Sequence, residues 1–135
     1  MKYFIAYKHS GVDPSYLKQL LTPVRDAFTS KGHEVYCTFF EDDSFRSQGM
    51  SAADIMYHAF TKIEEQGNLF VVLDSTERSE GMLMEIGYCL AKNLPVIVAI
   101  REGVDNSYLP SMIKRSFTYA NTEDLAQNII NLYCR

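Results

Sequence analysis

Residues Leu69-Phe70-Val71-Val72-Leu73 form an unbroken apolar run with helical periodicity on both sides of it. A strand that keeps no polar face must be covered twice, as at the centre of a parallel sheet. That single segment sets the architecture, because parallel strands can be joined only through crossovers, usually helical. The rest of the chain supplies them. Tyr3 to Tyr7 reads as a first strand, and Leu17, Leu20, Leu21, Val24 and Phe28 then recur at helical spacing. Thr22-Pro23 has the form of a cap followed by proline at the first helical position, which predicts a kink or two consecutive helices. Gly32 ends this segment, and residues 34–39 read as the second strand. Ala52, Ile55, Met56, Ala59, Phe60 and Ile63 form the stripe of the next helix, which Gly67 stops. A third helix runs from about Ser79 to Lys92, the fourth strand from Leu94 to Ile100, and a fifth covers Phe117-Thr118-Tyr119. Thr122 is the expected cap of a last helix carrying Leu125, Ile129, Ile130 and Leu132.

This order predicts an α/β, flavodoxin-like (Rossmann-like) three-layer sandwich around a five-stranded parallel sheet, order 2-1-3-4-5. Its 135 residues make one domain, 1–135, large enough to bury a core without a metal or disulfide staple. Cys37, Cys89 and Cys134 are odd in number and widely spaced, which fits free thiols in a reducing, cytoplasmic setting. Met1 to Ala6 enters the first strand directly, unlike a signal peptide, and no apolar run is long enough to span a bilayer. Thirteen Lys and Arg against seventeen Asp and Glu give a net charge of −4. That balance argues against a nucleic-acid polymer as partner, yet leaves room for a small anion in one local pocket.

In such a sheet, ligands bind beyond the carboxyl ends of the strands, at the switch point between strands 1 and 3. After strand 3, Glu85 falls on the second turn of a helix among Met82, Leu83, Met84, Ile86 and Leu90. It is a partly desolvated carboxylate at the sheet edge, or else it pairs with a Lys or Arg or turns to solvent. Gly81, one turn earlier, leaves space over the helix start, where free N–H groups and the Ser79 hydroxyl suit an anion. Lys8, His9, Ser10 and Gly11 after strand 1 form a phosphate cradle or a solvated loop. Asp54 and His58 stand four apart on one helix, an acid system or a surface pair. Asp74 ends strand 3 as a turn residue or a group in the cleft. Residues 40–49 read as a mobile polar loop, with Glu41-Asp42-Asp43 a solvated turn rather than a metal site. The histidines at 9, 33 and 58 lack metal-ligand spacing, so no metal and no cofactor is expected.

Ser79, Gly81, Glu85, Ile86, Gly87 and Tyr88, followed by Ala91-Lys92-Asn93-Leu94-Pro95-Val96-Ile97, resemble the signature of the nucleoside 2-deoxyribosyltransferase family. The resemblance implies that Glu85 is the nucleophile at C1′ of a nucleoside sugar. Ser79, Arg101, Ser111 and Lys114, with a chain that ends soon after Leu132, are similar to the branch of 2′-deoxynucleoside 5′-phosphate N-hydrolases. In that branch Ser79 would bind phosphate, and the Ser111–Lys114 segment would reach the phosphate of an adjacent subunit in a homodimer or larger homo-oligomer. Tyr7 would stack on sugar or base. The expected function is therefore an N-glycosidase acting on a small-molecule nucleotide. The alternatives are a base-exchanging transferase, an idle nucleotide-binding module and, more remotely, a signalling receiver using Asp74. The sequence also departs from the family pattern. Ala6 stands for Gly, Tyr7 for Ser, and the helix aspartate that assists base departure falls on Phe60, with Asp54 as the nearest carboxylate.

Overall fold

A computed structural model describes residues 1–41, 49–77, 79–104 and 108–133. Five strands, β1 (Lys2–Tyr7), β2 (Glu34–Tyr36), β3 (Leu69–Leu73), β4 (Val96–Arg101) and β5 (Ser116–Tyr119), form one sheet. All neighbouring pairs are parallel and the order is β2-β1-β3-β4-β5. The helices are α1 (Pro14–Ser30), α2 (Ala52–Gln66), α3 (Glu80–Ala91), the short α4 (Leu109–Met112) and α5 (Thr122–Asn131). This is the α/β flavodoxin-like arrangement that the element order predicts. Asp42, Asp43, the remainder of the segment up to 48, and Cys134 lie outside the described residues.

Strand alternation divides the core. Tyr3, Ile5, Phe70, Val72, Ile97 and Ala99 face α1 and α5, whereas Phe4, Ala6, Leu69, Val71, Leu73, Val98 and Ile100 face α2 and α3. Right-handed crossovers explain the partition. The chain steps from β1 one way to β2, then back across β1 to β3, so α1 and α2 fall on opposite faces. The reversal leaves a crevice at the carboxyl ends of β1 and β3.

Three local expectations are corrected. A single helix α1 runs through Pro23, capped by Asp13, whose carboxylate accepts the Ser15 N–H at 2.9 Å, with Pro14 in the first turn. An internal proline costs about 3 kcal/mol. Leu17, Leu20 and Leu21 before it and Val24, Ala27 and Phe28 after it are all buried against the sheet, each large side chain contributing about 1.5–3 kcal/mol, and so keep one continuous helix in place of two consecutive ones. Strand β2 stops at Tyr36 instead of 39, because the chain turns there, with Phe40 N–H donating to the Cys37 carbonyl at 3.0 Å. Asn121, not Thr122, caps α5, its side-chain oxygen accepting the Asp124 N–H at 2.9 Å.

Cys37 and Cys89 are buried and form no disulfide. No helix among the described residues is long and apolar enough to cross a membrane.

Candidate active site

Two cavities open at the crevice. The first, about 470 Å³, is polar in part: Lys8, His9, Ser10, His58, Ser79, Glu80, Gly81 and Glu85 line it with Ala6, Tyr7, Tyr36, Thr38 and Met56. The second, about 790 Å³, is mostly apolar and adjoins it, sharing Tyr7, His9, Thr38, Ile55, Met56, Glu80 and Gly81 as a common wall.

Glu85 reaches the first cavity because α3 starts immediately beyond the carboxyl edge of β3 and buries Met82, Ile86 and Cys89 against the sheet. That leaves position 85 half-buried on the side facing β1. Its carboxyl meets no hydrogen-bond donor and no cation among the described residues, and desolvation pushes it up to about 7. A carboxyl that titrates near neutrality on a cavity wall is suited to proton transfer or, once ionised, to nucleophilic attack.

Ser79 caps α3: its hydroxyl oxygen accepts the Met82 N–H at 3.3 Å, and its own proton stays available to a ligand. The Glu80 and Gly81 N–H groups open the same first turn, an arrangement that favours an anion. Gly81 keeps this end open. A Cβ there would sit 3.6 Å from the Met56 sulfur, in the gap between the two cavities.

The loop after β1 folds tightly. Val12 N–H donates to the His9 carbonyl at 3.2 Å, and Gly11 takes φ +73° at the position where such a turn needs it. The Lys8 ammonium donates to the Ser10 carbonyl and lies 3.5 Å from the Glu77 carboxylate. Glu77 is largely exposed, so this bridge contributes about 0–1 kcal/mol, and an anionic ligand can displace it. Tyr7 is held in place by a 2.9 Å hydrogen bond between its hydroxyl and that of Thr38.

The remaining sequence-predicted residues lie elsewhere. Gly11 serves the turn and lines neither cavity. Asp54 is exposed at the start of α2, where its carboxylate accepts the Ser51 N–H at 3.2 Å and Ser51 accepts the Asp54 N–H in return. Asp74 turns toward the other face of the sheet. There it accepts from the hydroxyls of Tyr16 and Tyr119, with Arg101 3.6 Å away. Arg101 also donates to the Tyr16 hydroxyl at 3.1 Å. Ser111 and Lys114 are exposed near α4 and line neither cavity; the Ser111 hydroxyl donates to the Tyr108 carbonyl at 2.8 Å. His58 does line the first cavity, and its Nε2 is 3.4 Å from the Tyr36 hydroxyl. Phe60 lines the second and stacks on Tyr88, ring centres 4.3 Å apart. No group of three His, Cys, Asp or Glu side chains among the described residues could hold a metal ion.

Sequence reasoning missed Tyr36, Thr38, Ile55 and Met56. The available signal was positional: strand 2 and the start of α2 also end at the carboxyl edge.

The fold and the crevice define a doubly wound α/β protein whose candidate site lies at its topological switch point. Neither a family model nor a curated protein matches the chain by sequence. In fold it matches a CMP N-glycosidase of Clostridium botulinum, BcmB, with a TM-score of 0.72 at 19% identity, over 98% of this chain and 99% of that one. A conserved protein from Enterococcus faecalis V583 matches with a TM-score of 0.59 at 17% identity, over 97% of this chain and 86% of that one.

Proposed function

We propose that this chain is an N-glycosidase that cleaves the base from a (deoxy)nucleoside 5′-monophosphate. The observation that carries this reading is Glu85, a half-buried carboxyl with no counter-ion among the described residues, on a wall it shares with an anion-ready helix start. The fold match to an enzyme described as a CMP N-glycosidase supports it.

In this reading the 5′-phosphate lies against the first turn of α3. It takes hydrogen bonds from the Ser79 hydroxyl and the Glu80 and Gly81 N–H groups, and the Lys8 ammonium exchanges Glu77 for it. The pentose lies over Glu85. One oxygen of the ionised carboxylate forms a bond to C1′ while the C1′–N bond breaks, its electron pair leaving with the base. His9, on the wall common to both cavities, gives that nitrogen a proton, a contribution of roughly 10²–10⁴-fold. Water then attacks C1′, the ester C1′–O bond breaks, and the water proton restores His9. The products are free base and (deoxy)ribose 5-phosphate. Splitting the displacement in two replaces one difficult step with two easier ones.

The test is a panel of nucleosides and their 5′-monophosphates with free base quantified by chromatography. Base released from the monophosphates, and far more slowly from the nucleosides, is the expected result. Binding without release from any of them would leave a nucleotide-binding module instead. A new nucleoside formed when a second base is added would favour a transferase.

Exposed Leu83 and Leu90, seven residues apart on α3, and exposed Met112 on α4 offer apolar surface to a second copy. In such a dimer Ser111 and Lys114, which serve neither cavity of their own chain, would reach the neighbour's phosphate. Light scattering should then give twice the mass of one chain; a monomer at all working concentrations would remove this part of the reading.

A further inference from the structure

We propose that Asp74 is a positioning residue for phosphate recognition: on the face of the sheet away from the cavities, it ties the segment that leads to Ser79 to the helix that follows Lys8. This rests on the nucleotide N-glycosidase reading above. Asp74 follows β3 directly and starts the segment that ends, five residues on, at the Ser79 cap. Its side chain is only 14% exposed, and each carboxylate oxygen has its own tyrosine. Oδ2 accepts from the Tyr16 hydroxyl and Oδ1 from that of Tyr119. Arg101, 3.6 Å from Oδ2, also donates to the Tyr16 hydroxyl at 3.1 Å, so the pair is held from a third side. Burial first, and then the carboxylate, raises the Tyr16 hydroxyl above its ordinary value of 10, which keeps it a donor.

Tyr16 stands in the first turn of α1, just after the loop that runs from Lys8 to the Asp13 cap. Its bond to Asp74 therefore joins, from behind, the two chain segments that carry Lys8 and Ser79. Lys8 and Glu77 join the same segments from the cavity side, 3.5 Å apart, but that bridge is the one an arriving phosphate displaces. Once it opens, the Tyr16–Asp74 clasp still fixes the spacing between the Lys8 ammonium and the first turn of α3. Segments held in the bound geometry before the ligand arrives spare binding the cost of ordering them. Glu85 does not depend on this clasp, because α3 is packed on the sheet through Met82, Ile86 and Cys89.

The experiment measures kcat and KM for a nucleoside 5′-monophosphate that releases base, and for its parent nucleoside, in the unmodified chain, in Tyr16→Phe and in Tyr119→Phe. Tyr16→Phe removes one hydroxyl from a ring that is 38% exposed and leaves Asp74 bonded to Tyr119, so the fold is kept. Its KM for the monophosphate should rise about tenfold, as for a chain with about a tenth of its population at the competent spacing, while kcat stays within about twofold. The nucleoside has no phosphate to place, so its kcat/KM should stay within about twofold. Tyr119→Phe keeps the Tyr16–Asp74 bond and controls for a purely structural role: it should lower Tm yet move KM by less than about twofold. An unchanged KM in Tyr16→Phe, an equal loss for nucleotide and nucleoside, or an equal rise in both variants would overturn the clasp while leaving the glycosidase reading intact. If no nucleotide releases base, the glycosidase reading fails. Calorimetry with a nucleoside monophosphate and with inorganic phosphate then decides the clasp by itself: binding of both weakened about tenfold by Tyr16→Phe alone supports it, and unchanged or absent binding refutes it.

Discussion

Glu85→Gln is expected to lower base release by at least about a thousandfold while nucleotide binding, measured by calorimetry, stays within a few-fold of the unmodified chain. The amide keeps the size of the carboxyl but cannot form a glycosyl ester, and losing a nucleophile is among the costliest single changes an active site can suffer. The same carboxyl should set the pH profile. Burial pushes it up to about 7, so only about half of the free protein carries the nucleophilic form at neutrality. The rate at low substrate should therefore climb as pH rises through about 7. Near-normal turnover by the variant would end the assignment of Glu85 as nucleophile.

The second large effect concerns stability and runs in the opposite direction. Unfolded, the Glu85 carboxyl loses its proton near its ordinary value of 4.5; folded, it holds the proton to about 7. Between these values the folded state binds more protons than the unfolded state, so the unfolding free energy falls as pH rises. The penalty is absent below 4.5 and complete above 7, where it reaches up to about 3 kcal/mol at 1.36 kcal/mol per pH unit. Glutamine has no charge to desolvate. Glu85→Gln should melt close to the unmodified chain at pH 4.5 and up to roughly 10 °C higher at pH 8.5. Thermal unfolding of both proteins at the two pH values reads this directly; a gap that did not widen with pH would show that Glu85 is solvated rather than desolvated. Lys8, His9, His58 and Glu80 line the same cavity in both proteins, so the difference between the curves belongs to position 85. With Glu85 as the proposed nucleophile, a destabilised fold would be traded for activity at a single side chain.

Much of this molecule was legible before any coordinates. The strand from Leu69 to Leu73 needs cover on both faces, and Gly67 ends α2 in the left-handed conformation expected of a helix-stopping glycine. The helix expected from about Ser79 begins there, at Glu80. These readings depend on neighbours within a few residues, where periodicity and capping chemistry act. Local rules misled where tertiary contacts outweighed them. The Thr22-Pro23 signal has a sound local basis, but burial on both sides of Pro23 costs more to give up than one missing hydrogen bond. In the sequence Asp54 and Asp74 also read as candidate acids, each beside a surface or turn alternative. One caps a helix in solvent and the other is engaged by Tyr16, Tyr119 and Arg101, partners 58, 45 and 27 residues away along the chain.

The sequence by itself determined the kind of elements, their order and the edge of the sheet at which the crevice opens, because hydrophobic period and the handedness of crossovers are short-range consequences of covalent geometry. Only the tertiary structure decided which of the acidic side chains loses its water. Leu69 to Leu73 is apolar on both sides and carries no mark of face. The direction of the step from β1 to β2 and back to β3 supplies that mark, turning Asp74 toward tyrosines and Glu85 toward a cavity. Desolvation depends on what surrounds a group in space, and no spacing along a chain encodes it.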